Sequence, residues 1–187
     1  KYIDQIVVNY IEQDYGPGTK LLGLIKSNVI NLDLKNTYIV LVDDDMIYKP
    51  YMLECFNNYN NEKHKNELIA GSFHCYKSKA NGFIVGQGAD GFFMKLDYLH
   101  DFNDYYAVIQ DKDYVNYHDD YYISYYFHIK QFPIQKIPLP NNKLIWEKNK
   151  NSKINMLSKI KDKYSRRNLH TEINLSLIHI SEPTRPL

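Results

Sequence analysis

Three consecutive aspartates, Asp43, Asp44 and Asp45, follow directly on the apolar run TYIVLV at 37–42. Adjacent carboxylates repel one another, and desolvating them is costly unless a positive charge sits among them. At a strand end, residues i and i+2 point the same way, so Asp43 and Asp45 can face one cation while Asp44 points elsewhere. Hard divalent ions take carboxylate oxygens and commonly share themselves with substrate phosphates. The pattern points to a cation bound together with a diphosphate, with a solvated acidic turn as the bland alternative. A second pair, Asp119-Asp120, stands at the head of HDDYYISYYFHIK (118–130). The helix dipole favours carboxylates at a helix start, so the pair either caps the helix or supplies a base for a hydroxyl proton. Lys20 follows the turn Gly16-Pro17-Gly18 near a helix N-terminus. It can add positive charge for a phosphate, or be a plain surface lysine. Gly86, Gly88 and Gly91 let backbone approach a ligand, or simply form a tight turn.

These residues need strands and helices to position them. IDQIVVNY (3–10) reads as a short strand, and Thr19 as the cap of a helix whose apolar positions are Leu21, Leu22, Leu24 and Ile25. The near-continuous apolar run at 37–42 predicts an interior parallel strand covered on both faces. Pro50 marks a helix start, and ELIAGSFHCY (67–76) is a further strand region. Residues 118–130 predict a capped amphipathic helix. FPIQKIPL (132–139) predicts a last, edge strand, since its prolines cannot donate to a ladder. Strands alternating with helices imply an α/β sandwich with a mostly parallel sheet.

Composition narrows the function classes. A chain of 187 residues has room for one domain with a real core. A net charge of +1 excludes an electrostatic coat for nucleic acid. The 18 tyrosines accompany an Asn, Lys and Ile bias that reads as an AT-rich coding sequence rather than a binding surface. Cys55 and Cys75 fall in a helix and a strand and read as buried free thiols. No apolar run approaches the roughly 20 residues that cross a bilayer. The chain opens on Lys1, inside the first strand, and reads as truncated at the N-terminus.

Four segments in order carry a family resemblance. Asp43-Asp44-Asp45, after YIVLV and before MIYKP, resembles the DxD segment of GT-A-fold glycosyltransferases. DYGPGTKLLG (14–23) is similar to a D-x-GPxTKL segment of one group of these enzymes. GADGFFMKLDYL (88–99) resembles their glycine-rich acceptor loop followed by a helix, and HDDYYIS (118–124) their acidic pair ahead of a helix. The resemblance implies a GT-A-type three-layer sandwich with a mostly parallel central sheet, incomplete at the N-terminus, where the base-binding strand should lie. It implies transfer of a sugar from a nucleotide-diphosphate donor, UDP-linked by expectation, to a hydroxyl of a glycan, lipid or protein, with inversion.

The resemblance also assigns roles. Asp45 and Asp43 would bind Mn²⁺ or Mg²⁺. Asp43, Asp44, Lys20 and Gly88 would face the donor. Asp120 would be the catalytic base and Asp119 its acidic neighbour, although His118 and Asp119 depart from the usual pair. Trp146 is placed to stack on a sugar ring or to fill core, and His170 to act as a late metal ligand. A sugar-phosphate nucleotidyltransferase and an inactive sugar-binding relative or truncated gene product remain open as alternatives. The expected organisation is a partial catalytic domain at 1–147, a basic segment at 148–174 and a tail at 175–187. The tail, LSLIHISEPTRPL, resembles a sequencing adapter translated in frame. The basic segment reads as a solvated face or a contact for anionic lipid or an acidic acceptor. The expected partners are a nucleotide sugar and an acceptor, with no nucleic acid and no transmembrane segment. The compartment is not encoded in any motif, and a cytoplasmic location is the default expectation.

Overall fold

A computed structural model describes residues 10–27, 34–65, 67–79, 81–112, 115, 117–139 and 144–148. The expected strand at 3–10, His170, nearly all of the basic segment and the tail lie outside these residues. The described chain is a mixed α/β structure. Its four helices are α1 (Thr19–Lys26), α2 (Met52–His64), α3 (Phe102–Ile109) and α4 (Asp119–Ile129). The main sheet has four strands, β1 (Tyr38–Leu41), β3 (Ala70–Ser72), β6 (Phe92–Lys95) and β7 (Ile134–Lys136), in the order β1-β6-β3-β7. Two small ribbons flank it. One pairs β2 (Met46–Tyr48) with β8 (Trp146–Lys148), and the other pairs β4 (Cys75–Lys77) with β5 (Ile84–Gly86).

The sheet corrects the expectation of mostly parallel pairing. Among the described strands only β3 and β7 are parallel neighbours, while β6 lies antiparallel to both β1 and β3. The reason is in the connection. The β4–β5 hairpin, not a crossover helix, joins β3 to β6, and parallel strands need a crossover of a dozen or more residues. The crossover through α2 still leaves β1 and β3 pointing the same way, with β6 inserted between them. Within the described sheet the interior strands are β6 and β3, not 37–42: Phe92, Phe93 and Met94 are fully buried, whereas β1 ends the described sheet and buries alternate residues.

The period-2 alternation of β6 sends its side chains to opposite sides. Phe92 and Met94 join Leu21, Leu22, Phe102, Tyr106 and Tyr122 in one core, and Phe93 joins Met52, Phe56, Phe73 and Ile137 in the other. Helices therefore cover both faces of the sheet, with α1, α3 and α4 on one side and α2 on the other. Each such buried side chain contributes roughly 1.5–3 kcal/mol.

Helix α4 departs from the amphipathic helix expected at 118–130, because Tyr121 through Phe127 are all buried. It is a central helix, packed on β5 and α3, where Ser124 Oγ accepts from Gly86 N at 3.1 Å and the Tyr105 hydroxyl donates to Tyr122 O at 2.9 Å. Residues 92–95 are strand, followed by a 3₁₀ turn at Leu96–Leu99 and an α-helix only from Phe102, so β6 stands between the glycine-rich loop and the helix expected straight after it. β7 ends the described sheet, in keeping with its flanking prolines. Cys55 and Cys75 are free thiols but half-buried, not buried as expected; partial burial still pushes the Cys75 thiol up to about 11 and raises Cys55. Among the described residues no helix is long and apolar enough to cross a membrane.

Candidate functional site

The segment DYGPGTK folds around its own aspartate. Asp14 Oδ1 accepts from Gly16 N at 2.8 Å and from the Thr19 hydroxyl at 3.1 Å, while Thr19 Oγ1 accepts from Tyr15 N at 2.7 Å. Thr19 is therefore the first residue of α1 and closes the turn, rather than capping the helix. Gly16 takes φ of 59°, a backbone state that glycine reaches without strain. Gly18 has no room for a side chain, since a Cβ there would stand 1.8 Å from the buried Tyr122 hydroxyl. The turn and α4 thus lock together, and Lys20 is presented in the first turn of α1.

Lys20 meets two acidic segments. Its Nζ lies 2.5 Å from Asp43 Oδ1 at the end of β1 and 3.1 Å from Asp119 Oδ2 at the start of α4. Burial opposes the lysine charge, yet Asp119 and Asp43 together hold it well above the ordinary lysine range. Lys20 was expected at a donor phosphate; here it is the counter-ion of two carboxylates. Asp119 and Asp120 are the first two residues of α4 behind the N-cap His118, so neither is the cap. The Asp119 side chain is 9% exposed, and its Oδ2 makes the charge contact with Lys20 but no hydrogen bond among the described residues.

Asp120 is the most perturbed acid of the site. Its Oδ1 accepts from Gly88 N at 2.8 Å. Burial, then the neighbouring charge of Asp119, push its carboxyl up to about 7, against the pull of the Gly88 N–H and Lys20. Gly88 has to be glycine for this contact; a Cβ would stand 2.9 Å from Asp120 Oδ1 and 3.4 Å from Lys20 Nζ. Asp44 is exposed and Asp45 half-buried, and neither carboxylate is held by another described residue.

Four segments far apart in sequence thus converge: Lys20, Asp43, Gly88 and the Asp119–Asp120 pair. Asp44 and Asp45 sit next to the cluster in the chain without joining its bonds. Tyr48 is a further group that the sequence does not single out, and Trp146, a candidate for sugar stacking or core, takes a different place. Tyr48 Oη accepts from Asp43 N at 2.8 Å and donates to Ala89 O at 3.1 Å. Trp146 Nε1 donates to Asp90 Oδ1 at 2.6 Å, so the indole is tied to the 88–90 turn. A tyrosine at the end of a three-residue strand behind three acids was the available signal; the ribbon partner that holds it is nearly 100 residues away.

Among the described residues no group of three or more His, Cys, Asp or Glu side chains is gathered so that it could hold a metal ion by itself. The donor chemistry still fits a shared ion. Asp43 and Asp45 offer hard carboxylate oxygens, and Mg²⁺-type sites use one or two carboxylates plus substrate phosphates. The charge balance is compatible with one, since Asp43 and Asp119 share a single lysine and Asp120 beside them is disfavoured as an anion. The chain matches no protein-family model, no curated protein and no solved structure.

Proposed function

We propose that this chain is a metal-dependent glycosyltransferase domain of GT-A type, moving a sugar from a nucleotide-diphosphate donor to an acceptor hydroxyl with inversion. The observation that supports it is the convergence of Lys20, Asp43, Asp119 and Asp120 on one point, with Gly88 N–H on Asp120. Asp43 and Asp45 would hold Mn²⁺ or Mg²⁺, which when bound neutralises the departing nucleoside diphosphate as a Lewis acid. Asp120 takes the proton of the acceptor hydroxyl. Its raised carboxyl suits that task, because a base works best with a pKa near the operating pH. The Gly88 N–H fixes which oxygen of Asp120 is spent, leaving Oδ2 for the proton. Asp119 keeps Lys20 charged beside the acids, and Lys20 is in reach of a phosphate once Asp43 engages a cation. Asp44, exposed, is placed for the donor's outer parts.

Calorimetry with Mn²⁺ and UDP tests the metal and donor assignment. Each should tighten binding of the other, and Asp45→Asn should remove that coupling. UDP affinity indifferent to chelator and to Asp45→Asn would overturn it.

A further inference from the structure

The two hydrogen bonds not foreseen from the sequence share one piece of scaffold. Tyr48 and Trp146 are directly paired residues in the β2–β8 ribbon. Each reaches the same 3₁₀ turn, Gly88–Asp90, at consecutive positions: Tyr48 Oη to Ala89 O, and Trp146 Nε1 to Asp90 Oδ1. Tyr48 Oη at the same time accepts from Asp43 N. The turn so held carries Gly88, whose N–H is the described hydrogen-bond donor to Asp120. Lys49 N donating to Ile145 O at 2.8 Å, and Tyr51 Oη donating to Leu144 O at 2.6 Å, tie the ribbon's neighbouring segments together.

We infer that Tyr48 and Trp146 are positioning residues that clamp the glycine-rich turn to the acidic loop, and so set where Gly88 N–H meets Asp120 relative to Asp43. The Tyr48 hydroxyl is the joint: one oxygen accepts from one loop and donates to the other. Trp146 spends its only polar hydrogen on Asp90 and holds the far side of the turn, a different task from stacking on a sugar. Neither side chain touches the carboxyl it positions. The inference rests on the transferase proposal for its purpose, while the clamp itself is measurable without any substrate.

Tyr48→Phe removes only the hydroxyl, and Trp146→Phe only the indole donor and part of the ring. Both should remain folded. In either variant Gly88 amide exchange should become roughly 3–10-fold faster, the loss expected for one hydrogen bond. The Asp120 carboxyl, followed by carbon NMR, should titrate higher as the Gly88 N–H is loosened. A residue that merely supported the fold would lower the melting temperature without moving that titration. Asp90→Asn keeps an acceptor oxygen for Trp146 and should behave as the parent, whereas Asp90→Ala should behave as Trp146→Phe. Unchanged Gly88 exchange and Asp120 titration in folded Tyr48→Phe and Trp146→Phe would overturn the clamp. If both move, yet the parent protein binds no Mn²⁺–UDP, the clamp stands and the transferase proposal falls.

Discussion

A lysine meets acid at each end of helix α4, one aspartate at the C-terminal end and three near the N-terminal end, and the two clusters differ in charge balance. At the C-terminal end Lys130 pairs with Asp101, which also accepts from the Tyr126 hydroxyl at 2.5 Å. One cation meets one anion. Burial works against the Asp101 charge, but the hydrogen bonds from Lys130 and Tyr126 hold its carboxyl below the usual range. At the N-terminal end one lysine faces Asp43 and Asp119, with Asp120 beside them, and Asp120 is pushed far up. The same residue types give opposite shifts. A charge-matched pair is complete within the fold. A surplus of buried negative charge is relieved only by a proton or a cation from outside, which is how ligand sites differ from structural ion pairs.

The comparison is tested most severely by turnover. Asp120→Asn should lower transfer by roughly 10²–10⁴, the worth of a positioned base, while Asp101→Asn leaves single-turnover rates with UDP-sugars unchanged. Equal effects would erase the distinction between the two ends.

Removing each lysine should separate them next. Lys20→Met strands Asp119 without its counter-charge, at a cost of about 3–5 kcal/mol in urea unfolding. Lys130→Met, at the solvent-facing pair, should cost less than about 1 kcal/mol and depend on salt. Similar losses would mean that the N-terminal cluster is an ordinary surface network.

The pH dependence should carry opposite signs. Asp101 has a lowered folded pKa, so its contribution is present above its unfolded value of 3.8 and is lost as pH falls through the folded value. Asp120 has a raised folded pKa, so its contribution is full below 3.8 and is lost as pH climbs to about 7. The second effect should amount to something on the order of 2–4 kcal/mol. Asp120→Asn should flatten the decline between these limits in thermal melts, and Asp101→Asn the acid limb instead.

The smallest effects come from two tyrosines one turn apart. The Tyr126 hydroxyl donates to Tyr98 O and Asp101, while the buried Tyr122 hydroxyl has no hydrogen bond among the described residues. Tyr126→Phe should therefore cost about 1–3 kcal/mol and Tyr122→Phe almost nothing. Gly18→Ala should cost about 1–3 kcal/mol from overpacking, and Tyr122→Phe should recover most of it, because the contact at 1.8 Å is with that hydroxyl. Additive losses in the double variant would show that the turn and α4 are not packed as described.

Local chemistry in the chain was enough to determine several features of this protein. Asp14 sits two residues before Gly16, so the Gly-Pro-Gly turn and the placement of Lys20 on α1 follow from neighbours in sequence. The apolar run at 37–42 makes a strand and sets Asp43 just past its end, and Asp119-Asp120 stand at a helix start, where the dipole favours carboxylates. The family likeness rested on such local segments. Only the tertiary structure decided which charges meet. Lys20 lies between Asp43 and Asp119 because β1, α1 and α4 pack on one core, and no spacing in the chain encodes that distance. The insertion of β6 antiparallel between β1 and β3, and the β2–β8 pairing that brings Trp146 across from Tyr48, depend on contacts tens of residues apart. The shift of Asp120 is likewise a sum over neighbours from its own segment and three others. Periodicity and turn chemistry are properties of a stretch of chain, whereas desolvation and strand pairing belong to the assembled whole.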